Sequence, residues 1–168
     1  MSSTTSPKLG WWGWWAKRDS GLLVFAGGAV GTLLRAGLGV LLPAVPGQLP
    51  VATVTVNLVG AFVLGWLTVA VTRGVRDPDR ARRLRLGLGT GLCGGFTTFS
   101  TFMVESVHLL GEAPGIAVGY LAVSLVGGVL AAAGGAWLGS AGPPRGSAGL
   151  PGAGQGAGSD QPQAGGGR

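Results

Sequence analysis

The run Gly94-Gly95-Phe96-Thr97-Thr98-Phe99-Ser100-Thr101-Phe102 sets a glycine pair and four hydroxyls among phenylalanines, inside an otherwise apolar stretch. These residue types bind rather than react. Hydroxyls offer hydrogen-bond donors, and a phenyl ring is electropositive at its edge. Phe99 and Phe102, three apart on one helix face, could therefore present ring edges to a desolvated anion, beside a polar stripe of Thr98, Thr101 and Glu105. Elsewhere Thr53 and Asn57 are four apart, Tyr120 and Ser124 are four apart, and Arg35 is a single cation within an apolar segment. There is no general acid and base pair, phosphate-binding loop or catalytic triad, so an enzyme is not expected.

Each of these residues also has a plain structural reading. Two phenylalanines at helical spacing commonly pack in a core. Asn57, Tyr120 and Ser124 could simply bond one helix to another, a contribution averaging about 0.6 kcal/mol in membrane proteins. Arg35 either snorkels to an interface with Glu105 as counter-ion, or acts electrostatically at a pore entrance. Taken together, Asn57, Ser100, Thr101, Tyr120 and Ser124 supply donors, and no cation lies deep in the segments around them. That combination fits a path for a small anion, because conduction needs binding weak enough to release.

The elements that carry these residues follow from composition. Only 11% of the 168 residues are charged, the mean hydropathy is +0.47, and four stretches approach the roughly 20 apolar residues that span a bilayer. They are residues 21–42, 52–72, 84–110 and 115–139. An all-α membrane protein of four transmembrane helices is expected, with the third broken at the glycine pair. Backbone groups left unpaired in hydrocarbon cost several kcal/mol, so such a break survives only where protein or a cavity covers it. The first stretch is too long for a signal peptide and has no small-residue cleavage site behind it. Gly27, Gly31, Gly60, Gly127 and Gly128 are candidates for close helix packing. Cys93 is the sole cysteine, so no internal disulfide or thiolate cluster is available.

Three regions result. Residues 1–20 hold Trp11, Trp12, Trp14 and Trp15 before Lys17 and Arg18, the composition of an interfacial anchor. Residues 21–139 form the transmembrane domain. Residues 140–168 are rich in Gly, Ala, Pro, Ser and Gln and read as a disordered tail.

Charge then orients the helices. Lys8, Lys17, Arg18, Arg73, Arg76, Arg80, Arg82, Arg83, Arg85, Arg145 and Arg168 all fall on one side, and the opposite connections contain no Lys or Arg. By the positive-inside rule both termini are cytoplasmic. The net charge of +6 is accounted for by topology and by attraction to anionic lipid, with no nucleic-acid-binding motif beside it.

At these residues the chain resembles the CrcB or Fluc family of fluoride channels. The resemblance covers nearly all of residues 21–139. It rests on Gly27-Gly28-x-x-Gly31-x-x-x-Arg35, Asn57-x-x-Gly60, and Gly91-x-Cys93-Gly94-Gly95-x-Thr97-Thr98-Phe99-Ser100-Thr101-Phe102-x-x-Glu105. It implies an antiparallel dual-pore dimer in the plasma membrane that passively exports cytoplasmic fluoride and so reduces its toxicity. It also implies a central Na+ held by the main-chain carbonyls of Gly94 and Thr97. By the same resemblance Asn57, Phe99, Ser100 or Thr101, and Phe102 line the fluoride path, Tyr120 and Ser124 match polar positions of the fourth helix, and Arg35 sits near a vestibule.

One departure from the family pattern is the charge bias. Homodimers that insert both ways need little of it, whereas here the basic residues are one-sided, so this chain is expected to pair with an oppositely inserted paralogue. Two other readings remain open. A small four-helix multidrug exporter needs a membrane-embedded carboxylate, and the first helix has none. A non-conducting structural subunit of a heterodimer would leave the polar motif without a purpose.

Overall fold

The computed structural model describes residues 12–141. The tail expected over residues 140–168 begins later than that, since Ser140 still belongs to the last helix and Ala141 caps it; its remainder from residue 142, and residues 1–11 with Trp11, lie outside the described residues. Every element among the described residues is helical. They are α1 (Trp12–Leu41), α2 (Val51–Gly74), α3 (Pro78–Leu84), a π-helical stretch (Arg85–Cys93), α4 (Gly94–Phe96), α5 (Phe99–Glu112) and α6 (Pro114–Ser140).

Local chemistry sets the boundaries. Pro50 precedes α2 and Pro114 opens α6, where a missing N–H costs nothing because the first-turn donors have no helical partner. The α1–α2 connection turns at Gly47, whose φ of 71° is left-handed and suits glycine. Asp77 caps α3 by accepting from the Asp79 N–H at 3.0 Å. Helix α1 starts well before residue 21, because the apolar limit of a span is not a helix-stop signal.

Three helical segments, Asp19–Leu41, Val51–Gly74 and Pro114–Ser140, are long and apolar enough to cross a membrane. The third span, expected over 84–110 with a break at the glycine pair, is divided, but Gly94 and Gly95 stay helical and the extended residues are Thr97 and Thr98. Its first part is the π-helical stretch, where the ladder widens to i→i+5 over the glycine-rich sequence Arg-Leu-Gly-Leu-Gly-Thr-Gly-Leu-Cys. Its second part begins after Thr97 (φ −79°, ψ 158°) and Thr98 (φ −146°, ψ 119°), both extended.

Two packed pairs hold the bundle. Helix α1 lies against the π-helical stretch and α4, while α2 lies along α6, which α5 also meets. On α1 a Cβ added at Gly27 or Gly31 would overlap the Gly87 or Leu92 carbonyl, and one at Gly95 would overlap that of Gly28. On α6 a Cβ at Gly135 would overlap the Phe62 carbonyl. Helices therefore touch backbone to backbone, the close approach that small residues permit in membranes. Gly127 faces Leu58 at 3.0 Å, whereas Gly128 has no neighbour within 4 Å.

Few side chains are buried. A cluster of Val54, Leu109, Ala117 and Tyr120, with Leu58 and Phe102 packed against it, joins α2, α5 and α6. Outward, Phe25, Leu33 and Val40 are each more than 70% exposed (75%, 72% and 81%). In water such a surface would be costly, but hydrocarbon imposes no penalty on it.

Candidate functional site

The interruption at Thr97 and Thr98 lies at the centre of the site, and the helix on either side supplies its parts. Asn57 of α2 grips it from one side. The Thr98 N–H donates to Asn57 Oδ1 at 2.9 Å, and Asn57 Nδ2 donates to the Thr98 carbonyl at 3.1 Å. From the other side the Nε–H of Arg35 donates to the Gly95 carbonyl at 3.3 Å. The Thr97 hydroxyl and N–H both donate to the Cys93 carbonyl, at 2.9 and 3.0 Å.

These bonds decide which carbonyls remain free. In a continuous helix Gly94 would accept from the Thr98 N–H and Thr97 from the Thr101 N–H. The first donor goes to Asn57, and the second goes to the Thr98 hydroxyl at 3.2 Å, which caps α5. The carbonyls of Gly94 and Thr97 thus lose their helical donors, while those of Gly95 and Thr98 gain side-chain ones. Carbonyl oxygens without donors are the ligands that a hard monovalent or divalent cation takes, so this donor set fits a cation.

A second group lies toward the far end of α5. Glu105 accepts from the Thr53 hydroxyl at 3.0 Å through Oε1 and from the Tyr120 hydroxyl at 2.7 Å through Oε2. Tyr120 is fully buried, and its ring meets Phe102 with centroids 5.1 Å apart. Phe99 lies 6.1 Å from Phe102 on the same face, yet it is 74% exposed. The Thr98 hydroxyl also reaches Thr101 at 2.9 Å and Ser100 at 3.5 Å.

Most of the residues singled out from sequence line one of two cavities, whereas Ser100, Phe102 and Tyr120 line neither. One of about 240 Å³ is lined by Arg35, Thr53, Thr98, Thr101 and Glu105, among others. The other, about 570 Å³ and open, is lined by Asn57, Gly94, Thr97, Thr98, Phe99 and Ser124, with no charged residue in its wall. Thr98 belongs to both. Ser124 brings to the larger one a buried hydroxyl with no hydrogen-bond partner, a state that buried polar atoms seldom tolerate.

Some expected pairings are absent. Glu105 is not the counter-ion of Arg35. The carboxylate is held by two hydroxyls and the guanidinium by a carbonyl, although both line the smaller cavity. Tyr120 and Ser124 share a helix face but not a cavity. Conversely, the central role of Thr98 was visible only as one member of a polar stripe. Its signal is positional, a threonine directly before an apolar helical run, where N-caps occur.

Comparison with known proteins completes the picture. A family model described as "CrcB-like protein, Camphor Resistance (CrcB)" matches residues 22–136. Fluoride-specific ion channel FluC 1 of Mycolicibacterium paratuberculosis is 47% identical over 109 residues, covering 64% of this chain and 80% of the relative. Fluoride-specific ion channel FluC 2 of Bacillus subtilis is 44% identical over 116 residues, 69% of this chain and 84% of its own length. Fluoride-specific ion channel FluC of Methanopyrus kandleri is 42% identical over 112 residues, covering 67% and 82%.

Proposed function

The chain belongs to the CrcB family, a family of membrane ion channels rather than enzymes, and on that footing we propose that it conducts fluoride, passively exporting it from the cytoplasm. One observation carries the reading. The cavity of about 570 Å³ beside the interruption combines the unpartnered Ser124 hydroxyl, the Asn57 amide and the exposed Phe99 ring, with no charge in its wall. An anion there meets neutral donors and a ring edge, which bind it without trapping it.

Asn57 still has one amide proton to offer after its bond to Thr98. Phe102, Thr101 and Ser100 continue the path along α5, and Tyr120 and Glu105 bound its far end. The larger cavity is open on the outer side of this single chain, and a second subunit would close it. The partner in this reading is an antiparallel one, so that two pores form around a shared centre.

The carbonyls of Gly94 and Thr97, left without helical donors, would face their counterparts in that partner. A Na+ bound there would neutralise the four carbonyl dipoles and hold the two interrupted segments together. The resulting protein spans the plasma membrane with both termini cytoplasmic. One-sided basic residues fix its insertion, so the antiparallel partner is an oppositely inserted paralogue.

Liposome efflux tests the proposal. The chain is reconstituted alone and together with an oppositely inserted relative from the same source, and fluoride and chloride release are compared. Selective fluoride release by the pair supports the whole reading. Robust release by the chain alone, with insertion in both orientations, retains the channel and removes the heterodimer. Equal chloride release, or none of either ion, overturns the function.

A further inference from the structure

The larger cavity has a neighbour. A space of about 290 Å³ is lined by Leu64, Leu67, Thr68, Arg85, Gly89 and Thr90, and Leu64, Gly89 and Thr90 also line the larger cavity. The two therefore adjoin through the π-helical stretch. Arg85 begins that stretch, at the end of the bundle that carries the basic loop.

Donor capacity in this smaller space is unevenly distributed. The Thr68 hydroxyl donates to the Leu64 carbonyl at 2.7 Å and the Thr72 hydroxyl to the Thr68 carbonyl at 2.6 Å, so both protons serve the backbone of α2. Arg85 Nη2 donates to Thr72 Oγ1 at 2.9 Å. That bond fixes the guanidinium in place, and most of its five N–H groups remain available. The Thr90 hydroxyl has no hydrogen-bond partner among the described residues. Leucine side chains form much of the remaining wall, and a low-dielectric wall focuses the field of a single cation.

Other arginines at this end do not compete for the role. Arg73 is committed to the Ser140 carbonyl at the end of α6. Arg80, Arg82 and Arg83 lie on α3 and line neither cavity, whereas Arg85, although also exposed, lines the smaller one.

We propose that Arg85 and Thr90 form the cytoplasmic capture site of the channel, the guanidinium drawing a small anion into the smaller cavity and the Thr90 hydroxyl passing it to Asn57 and Ser124. The inference rests on the fluoride-channel reading and adds an entrance to it. Thr72 accepts one hydrogen bond from Arg85 but gives up no proton to the anion, and the charge that draws the anion does not depend on that bond.

The test is the initial rate of fluoride efflux from liposomes holding the conducting assembly, at sub-saturating fluoride, in low and high concentrations of an impermeant salt. Arg85→Gln should slow efflux about three- to tenfold at low ionic strength, and by less than about twofold when the salt screens the cation. Arg85→Lys should stay near wild type, as should Arg82→Gln, which removes an exposed charge from the same side. Thr90→Val should slow efflux at both ionic strengths, since a lost donor is not screened. Thr72→Val keeps the cation and should retain most of the flux.

Arg85→Gln matching wild type at low ionic strength overturns the capture site while leaving the channel intact. So does Thr72→Val reproducing the whole Arg85→Gln loss, because Arg85 would then serve only as a brace. Should Arg85→Gln fail to fold, the salt dependence of Arg85→Lys and Thr90→Val decides the matter by the same criteria. A wild-type assembly that passes no fluoride overturns the channel reading, and the entrance with it.

Discussion

Asn57 holds Thr98 by both ends of its amide, accepting from the backbone N–H at 2.9 Å and donating to the carbonyl at 3.1 Å. An amide side chain thereby replaces one rung of backbone hydrogen bonding at the point where the chain is extended. The same residue faces the larger cavity.

Asn57→Ala should therefore have two consequences. Efflux should fall at least about tenfold, and stability should fall by about 1–3 kcal/mol as two backbone groups lose their partners. Thermal unfolding in detergent, measured beside efflux, reads both. An alanine variant with wild-type stability would show that the clasp is dispensable for the fold.

Phe99 offers the contrasting case. With its ring 74% exposed in the single chain, Phe99→Ala should cost the subunit less than about 1 kcal/mol while removing most fluoride flux. Phe102→Ala should cost more, about 2–4 kcal/mol, because its ring packs on Tyr120. If Phe99→Ala instead abolishes assembly with flux per assembled channel unchanged, the ring is an interface residue alone.

Gly60 gives a prediction with a built-in rescue. A Cβ there would overlap the Thr97 methyl group, so Gly60→Ala should destabilise by about 1–3 kcal/mol. Thr97→Ser deletes that methyl and keeps the hydroxyl that donates to the Cys93 carbonyl. The double variant should recover most of the loss in a thermal melt. Failure to recover would place the strain elsewhere on the α2 face.

Glu105 should respond to amide substitution as an acceptor of two hydroxyls. In Glu105→Gln one oxygen becomes an NH2 group, and either Thr53 or Tyr120 loses its acceptor. A loss of about 1–3 kcal/mol is expected. Tyr120→Phe should cost less alone and should not add fully to Glu105→Gln, because the two share a bond. Full additivity would mean that the bond contributes nothing to stability.

Much of this arrangement was readable from residue order, and the missing part has a physical cause. Hydrophobic length located α2 and α6 to within two residues at either end, since Pro50 and Pro114 mark their starts. The start of α1 was displaced because nothing between residues 12 and 20 stops a helix. Gly94-Gly95 and Thr97-Thr98 marked the interruption as a site, but not which carbonyls it frees. That depends on Asn57, 41 residues away, and on Arg35, 60 residues from Gly95. The partners of Glu105 were equally hidden, one 52 and the other 15 residues distant. Spacing along a chain reports which side chains share a face. It is silent on which distant donor reaches a given acceptor first.

The glycine seam between α1 and the segment carrying the interruption limits how this protein can move. At Gly27, Gly31 and Gly95 backbone meets backbone, with no intervening layer of side chains to rotate or repack. Machines that expose a binding site alternately to two compartments need helices that slide, and sliding needs that compliant layer. A seam without it has no side-chain volume to rearrange, so any shift of α1 there moves main chain against main chain.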